Sequence, residues 1–149
     1  MKIVAFVPAK GTSHRVKNKN LSVLDGEYLF KRKLRQLLDC ELIDEVYLDT
    51  DSYEIANLTK DLPVKILNRP SNLATNETDG HELFMWECSQ CKADIYIQAL
   101  CTAPFVSDDT INRALTELIN SDKNDSLIAM NFAKQYTWTN NKPDYGLDK

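Results

Sequence analysis

Short apolar runs alternate with longer amphipathic segments along the chain. Five mostly apolar runs, each too short for a typical helix and bounded by polar or turn-forming residues, predict buried strands. They cover residues 3–7, 46–48, 64–67, 95–100 and 127–132. Between them, residues 27–40 carry apolar residues at helical spacing with basic residues in between, which predicts an amphipathic helix.

Further helices are predicted between the later strands. Ser52 and Ser107 stand where N-caps are expected, each ahead of a segment with apolar residues at helical spacing, and another helix begins around residues 83–87. Strands that alternate with helices predict crossover connections and a mostly parallel sheet. The expected fold is α/β, a three-layer α/β/α Rossmann-like sandwich with ligands at the carboxyl ends of the strands.

The composition predicts one globular domain over residues 1–149. The chain is 43% hydrophobic and 27% charged, which suits a packed core and argues against disorder. No apolar run approaches the ~20 residues that span a bilayer, and the N-terminus lacks the order of a signal peptide. We therefore expect a cytoplasmic protein without membrane contact.

The cysteines do not have the spacing of a disulfide framework, and we expect reduced thiols. Cys88 and Cys91 form a CxxC pair, which leaves two interpretations. A zinc or redox site would need a second pair or histidine partners, whereas i and i+3 residues share one face of the predicted helix. Helix packing is therefore favoured over metal or redox chemistry.

Charge is distributed unevenly along the chain. The net charge of −4 argues against nucleic-acid binding, which needs a basic surface. Residues 1–24, however, contain no acidic residue and five basic ones: Lys2, Lys10, Arg15, Lys17 and Lys19. This asymmetry predicts an anion site near the N-terminus.

The loop over residues 8–21, directly after the first predicted strand, carries the clearest chemistry. It matches neither common phosphate-binding motif. Gly11 nevertheless allows close backbone approach, Ser13 supplies a hydroxyl, and the basic residues supply charge where pyrophosphate would leave. The alternative is a solvated basic loop, which we favour less.

This loop resembles the A-R-G-G-S-x-R-x-x-x-K-N loop of the CMP-sugar synthetases, which include the acylneuraminate and KDO cytidylyltransferases. Lys10 stands where the family usually has arginine. The resemblance implies that the loop holds the triphosphate of CTP and that Lys10 and Lys19 stabilise charge during transfer. The implied nucleotide-binding residues here are Ala9, Lys10, Gly11, Ser13, Arg15, Lys19 and Asn20.

Two later segments are similar to the same family. Residues 69–74 (RPSNLA) resemble its R-P-x-x-L-A segment, which implies that Arg69 and the backbone near Thr78 lie at the base. Residues 97–104 (IQALCTAP) resemble its Q-P-T-S-P segment, with two extra residues and an alanine for serine, and imply that Gln98 and Thr102 contact the sugar. Ordinary loop structure and an amide that closes a strand end are the respective alternatives.

Other polar or aromatic residues have structural explanations that we favour. Asp49 and Asp51 could bind one cation, but turn formation and helix capping are preferred. His14 and His81 lack ligand partners at suitable spacing and are expected to be exposed. Phe84 and Trp86 are expected in the core rather than as a stacking platform. No protein ligand for a metal is identified, although Mg²⁺ is expected with CTP.

The resemblance implies an enzyme that transfers CMP from CTP to an acidic sugar, similar to sialic acid or KDO, and releases pyrophosphate. CTP and the sugar would be its partners, and a homodimer is allowed. Family members usually continue well beyond this point, so the resemblance also implies a domain truncated at its C-terminus. Two alternatives stay open: an inert nucleotide-binding module or regulatory relic, and an enzyme that uses another sugar or base.

Overall fold

The computed structural model describes residues 1–13, 16–130 and 137–143. Its strands are β1 (Ile3–Pro8), β2 (Val23–Leu24), β3 (Glu27–Tyr28), β4 (Glu45–Thr50), β5 (Lys65–Asn68), β6 (Ile95–Gln98), β7 (Trp138–Thr139) and β8 (Lys142–Pro143). Its helices are α1 (Leu29–Leu38), α2 (Tyr53–Asn57), α3 (Gly80–Ser89) and α4 (Asp108–Ile119). Single turns of 3₁₀ helix occur at Lys19–Leu21 and Ser71–Leu73.

Four parallel strands form the central sheet in the order β5-β4-β1-β6. Strand β1 is nearly fully buried because it is central and covered on both faces, which explains its continuous apolar sequence. Its last residue, Pro8, lies opposite Asp49 of β4. The carboxyl ends of β1, β4 and β5 consequently meet at one edge of the sheet.

Helices cover both faces of this sheet, which confirms the predicted three-layer α/β/α fold. On one face, Leu34 and Leu37 of α1 pack with Ile55 of α2 and Leu115 of α4. On the other face, a smaller cluster joins the sheet to α3 through the aromatic side chain of Phe84. The described residues contain no helix long and apolar enough to cross a membrane.

Side-chain caps fix where three helices begin. Ser52, Asp79 and Ser107 each accept a hydrogen bond from the backbone N–H three residues later. These contacts satisfy donors that have no partner within the helix. The predicted caps at Ser52 and Ser107 are confirmed.

The first predicted helix begins later than expected. Residues 27 and 28 form β3, which pairs with β2 in a two-residue hairpin, and α1 starts at Leu29. Asp25 and Gly26 have φ values of 55° and 81°, as this type of turn requires. The Asp-Gly pair was the sequence signal for the hairpin.

The strand predicted over residues 127–132 is wrong for the part that the structure describes. Residues 127–130 are not assigned to a strand, and Ile128 and Met130 are largely exposed; Phe132 lies outside the described residues. An extended segment is stabilised in a sheet by hydrogen bonds to a neighbour, and this run pairs with none of the described strands. The apolar pattern of the sequence does not indicate whether a neighbouring strand is present.

Three residues with two possible roles are packed as predicted: Phe84, Cys88 and Cys91. Phe84 and Cys88 of α3, together with Cys91, contact the cluster on that face of the sheet. Burial raises the pKa of both thiols, which is the opposite of what a reactive cysteine needs. Trp86 is half-buried, and His81 is exposed as expected; His14 lies outside the described residues.

The packing makes a stability prediction for the central sheet. Leu48 of β4 is fully buried, so Leu48→Ala should lower the free energy of unfolding by about 2 to 5 kcal/mol through lost contacts and a cavity. Leu127→Ala, at a half-exposed leucine, is the control and should change it by less than about 0.5 kcal/mol. Urea denaturation measures both, and equal effects would contradict the assigned core.

Candidate functional site

A cavity of about 580 Å³ lies at the edge of the sheet where the strands end. Two loops form it, one after β1 and one after β5. Its lining residues are Lys10, Thr12, Ser13, Lys19, Asn20, Thr75 and Asn76. The structure thus joins the predicted triphosphate loop to the segment that follows the predicted base motif.

Strand β4 holds the beginning of the loop after β1. The Ala9 N–H donates to the Asp49 carbonyl at 2.8 Å, and the Thr50 hydroxyl donates to the Ala9 carbonyl at 2.6 Å. One residue further, Asp51 Oδ1 accepts a hydrogen bond from the Gly11 N–H at 2.7 Å. Ala9 is fully buried with both backbone groups used, so it shapes the loop from beneath.

Gly11 is required by the close approach of this loop to the start of α2. A Cβ atom at position 11 would lie 2.8 Å from Ser52 Cβ, closer than such atoms pack. Ser52 cannot easily yield, because its hydroxyl caps α2. The glycine in the motif is thus explained by contact with the protein itself.

Lys10 bridges the two loops that form the cavity. Its ammonium donates to the Thr75 carbonyl at 3.0 Å and to Asn76 Oδ1 at 3.1 Å. The buried Asn20 side chain donates to the Lys10 carbonyl at 2.8 Å. Both ends of Lys10 are therefore fixed, and its charge is held at the cavity.

Lys19 and Ser13 also line the cavity. Lys19 begins a 3₁₀ turn that follows Asn18, whose φ of 52° reverses the chain. Within the described residues the Lys19 ammonium has no hydrogen-bond or ion-pair partner, so its charge is available to an anion. Arg15, predicted in the same loop, lies outside the described residues.

Arg69 is placed beneath the site rather than in its lining. Its side chain is 4% exposed and forms a buried ion pair with the fully buried carboxylate of Asp49. Its backbone N–H donates to the Thr50 carbonyl at 2.9 Å. Arg69 therefore anchors the start of the loop that carries Thr75 and Asn76, and its predicted contact with a base stays a prediction.

Thr78 stabilises the same loop. Its hydroxyl lies 3.2 Å from the Asn72 carbonyl and 3.1 Å from the Thr75 hydroxyl. Its backbone N–H also donates to the Thr75 hydroxyl at 3.3 Å. The Thr78 side chain thus closes a polar turn, and its role at the base is untested.

Gln98 and Thr102 lie on a neighbouring part of the same edge and do not line the cavity. Gln98 Nε2 donates to Glu87 Oε2 of α3 at 2.7 Å, whereas the Thr102 side chain is exposed. Helix α1 holds the loop that contains Thr102, because Lys33 Nζ donates to the Val106 carbonyl at 2.9 Å. Burial lowers the pKa of Lys33.

Asp49 and Asp51 both have structural roles, although neither caps α2. Asp49 pairs with Arg69, and Asp51 holds Gly11. Within residues 1–13, 16–130 and 137–143, no group of three or more histidine, cysteine, aspartate or glutamate residues could hold a metal ion. Both carboxylates hold neighbouring segments of the chain, so the predicted helix capping is wrong, whereas a structural role for both residues is supported.

Sequence reasoning assigned no role to Thr12, Thr75 and Asn76, which line the cavity, or to Glu87. Thr75 and Asn76 lie in a polar loop, where neither spacing nor hydropathy singles out one residue. Glu87 had a signal that was not used. It follows Phe84 by three residues and so shares the buried face of α3, and a carboxylate on such a face needs a partner.

The comparisons with known proteins agree with this geometry. The sequence model of the cytidylyltransferase family matches residues 4–144. The chain belongs to this family. This confirms the resemblance drawn from the loops after β1 and β5.

Individual relatives of this cytidylyltransferase chain carry names that specify acidic sugars. It is 27% identical over 125 residues to 3-deoxy-manno-octulosonate cytidylyltransferase of Chlorobium phaeovibrioides, a match that covers 84% of the chain and 49% of the relative. It is 29% identical over 91 residues to a Helicobacter pylori protein named pseudaminic acid cytidylyltransferase and UDP-2,4-diacetamido-2,4,6-trideoxy-beta-L-altropyranose hydrolase, covering 60% of the chain and 18% of the relative. The chain spans about half the length of the Chlorobium relative.

A solved structure shares the fold of this cytidylyltransferase chain. CMP:2-keto-3-deoxy-manno-octonic acid synthetase complexed with CTP superposes with a TM-score of 0.69 at 19% identity, over 83% of this chain and 49% of that one. At this identity the likeness supports the Rossmann-like nucleotidyltransferase fold.

The close packing at Gly11 gives a test of the loop. Gly11→Ala should lower the free energy of unfolding by about 1 to 3 kcal/mol, because the added methyl group collides with Ser52. Gly80→Ala is the matched control, because a Cβ atom at position 80 would have no other atom within 4 Å. The alanine also lowers the conformational entropy of the unfolded chain. Urea denaturation should show the control at wild-type stability or slightly above; a neutral Gly11→Ala would contradict the described loop.

Proposed function

We propose that this chain binds CTP and transfers its cytidylyl group to an acidic sugar, with release of pyrophosphate. One observation carries the proposal. Lys10, Lys19 and Ser13, the residues of the family-like loop, line one cavity at the carboxyl edge of the sheet. The family match supports cytidine as the nucleoside.

In the proposed reaction, a hydroxyl oxygen of the sugar attacks the α-phosphorus of CTP. A new P–O bond forms between the sugar oxygen and the α-phosphorus as the bond from that phosphorus to the bridging oxygen of the β-phosphate breaks. The hydroxyl proton passes to solvent, and pyrophosphate leaves. Negative charge develops on the leaving group, where the ammonium groups of Lys10 and Lys19 would stabilise it. The Ser13 hydroxyl would donate a hydrogen bond to a phosphate oxygen.

The base and sugar would lie on either side of these phosphates. Arg69 would act on the base side by holding the loop over residues 70–78 through its buried pair with Asp49. The backbone near Thr78 would supply hydrogen-bonding groups to cytosine. Gln98 and Thr102, on the segment after β6, would contact the sugar.

The proposed sugar is an acid of eight or nine carbons. Its support comes from relatives named for 3-deoxy-manno-octulosonate and for pseudaminic acid. A sialic acid-like acceptor belongs to the same chemical class. The geometry by itself does not select among them.

Mg²⁺ is proposed only as a companion of CTP. The described side chains contain no ligand cluster for it, so the triphosphate oxygens would supply most of its ligands. Bound there, the ion would neutralise phosphate charge. The roles given above to the lysines and Ser13 do not depend on it.

An inert nucleotide-binding module is the second candidate. It is considered because the chain spans about half the length of the Chlorobium relative. It predicts CTP binding without turnover. A pyrophosphate-release assay with CTP and each acid sugar separates the two candidates, since any sugar-dependent release excludes the module.

The first measurement is calorimetry of CTP, UTP, GTP and ATP binding with Mg²⁺. CTP should bind selectively, and Lys19→Ala should weaken it by about 10- to 100-fold, since a hydrogen bond to a charged group contributes about 1.5 to 3 kcal/mol. The control is Lys60→Ala, which removes an exposed lysine after α2 and should leave the affinity unchanged. Failure of the folded chain to bind any nucleotide would refute the proposed function.

A further inference from the structure

A chain of buried and half-buried polar side chains connects α3 to β4, to β6 and to the residue after β5. Asp49 of β4 and Glu87 of α3 are fully buried, and Arg69 after β5 is almost so. Arg69 pairs with Asp49, and Gln98 of β6 donates to Glu87 at 2.7 Å. The two ends of this chain, Arg69 and Gln98, are the residues proposed above for the base side and the sugar side.

The charges in this chain do not balance if both acids are ionised. Two carboxylates would then face a single guanidinium, whose hydrogen bonds already go to Asp49. An unpaired buried carboxylate is costly, and such a group takes up a proton instead. The charge balance therefore points to a neutral Glu87.

The hydrogen bonds of Glu87 lead to the same conclusion. Its Oε2 accepts from Gln98, but its buried Oε1 has no donor among the described residues. The two carboxyl groups of Glu87 and Asp49 are within hydrogen-bonding reach of each other. Two carboxylates repel, whereas a protonated Glu87 can donate its O–H to Asp49.

We propose that Glu87 is a positioning residue that carries a proton at neutral pH and joins Gln98 to the Asp49–Arg69 pair. It donates to Asp49 and accepts from Gln98, so one side chain fixes the parts of the site on both sides of the phosphates. With Gln98 Nε2 engaged, the amide presents its carbonyl oxygen as an acceptor for a sugar hydroxyl. The protonation of Glu87 and its positioning role are inferred from the buried contacts. The contact between Gln98 and a sugar rests on the proposed function.

The surroundings of Glu87 support a raised pKa. Burial, the largest cause, and the nearby Asp49 carboxylate raise the pKa of Glu87 to about 8, although the Gln98 hydrogen bond and Arg69 oppose this. Among the described residues, the titratable or charged side chains in the layer between the sheet and α3 are Tyr47 and Asp49 of β4, Arg69 after β5, Tyr96 of β6, Cys88 of α3 and Cys91 after it. Arg69 is the one permanent cation in this set.

The decisive experiment is a pH titration of the wild-type chain with ¹³C-labelled glutamate side chains, followed by NMR. One glutamate carboxyl should titrate near pH 8, where Glu87 is placed. Its resonance should be lost in Glu87→Gln and kept in Glu82→Gln, the control at an exposed position of α3. If no glutamate carboxyl titrates near pH 8, the proposal is overturned.

Stability gives a second measurement. The ordinary pKa of a glutamate is 4.5 and that of Glu87 is about 8, so between these values the folded chain retains a proton that the unfolded chain has lost. The contribution of Glu87 to the free energy of unfolding should therefore fall as pH rises through this window and level off above it. The slope of the free energy of unfolding against pH measures the difference in bound protons between the folded and unfolded chain, and Glu87→Gln should reduce that difference by about one proton in this window. An unchanged slope would refute the protonated state.

Positioning is tested by comparing Glu87→Gln with Glu87→Met. Glutamine can still donate to Asp49 and accept from Gln98, whereas methionine keeps the approximate volume and does neither. The NMR signals of the Gln98 amide and the Arg69 guanidinium should shift in the methionine variant and stay near wild type in the glutamine variant. If both sets of signals are unmoved by methionine, Glu87 does not position these residues.

The sugar contact is read from kinetics. Glu87→Met should raise KM for the acid sugar by about tenfold, the effect of one lost hydrogen bond, with a much smaller change in KM for CTP, and Glu87→Gln should restore the wild-type value. An unchanged KM for the sugar would refute the Gln98 contact. Absence of turnover in the wild type would count against the proposed function, while the NMR results would still decide the state of Glu87.

Discussion

The end of β4 is the constraint on which the site depends. Three consecutive residues make the contacts. Asp49 pairs with the Arg69 side chain, and Asp51 accepts a hydrogen bond from the Gly11 N–H. Between them, the Thr50 hydroxyl donates to the Ala9 carbonyl, and the Thr50 carbonyl accepts from the Arg69 N–H. These contacts fix the starts of the two loops that follow β1 and β5. A parallel sheet brings such strand ends together, and here the middle strand of the three supplies the contacts that give both loops their course.

This arrangement separates the groups that shape the site from those that face the cavity. Ala9 and Arg69 belong to the two family-like motifs, yet both are buried beneath the loops. Lys10 and Lys19 belong to the same motif as Ala9, and they line the cavity. A motif thus combines residues that line the cavity with residues that support them, and only burial and hydrogen-bond partners distinguish the two.

Sequence patterns predicted the four central strands, α1 to α4 and the residues of the cavity loop, because these depend on local periodicity, caps and a compact motif. They did not predict contacts between distant segments. The bond from Lys10 to Asn76 joins residues 66 positions apart, and the pair of Asp49 with Arg69 depends on two strands lying side by side. The failed strand over residues 127–132 has the same origin, since a strand is defined by its neighbour.

The hydrogen bonds of Lys10 orient its charge toward the cavity. Two of the three N–H donors of its ammonium go to the Thr75 carbonyl and Asn76 Oδ1, which leaves the third for an oxygen of an anion. A side chain that is already held in one position has little rotamer freedom left to lose on binding. The loop after β5 thus preorganises a lysine that belongs to the loop after β1.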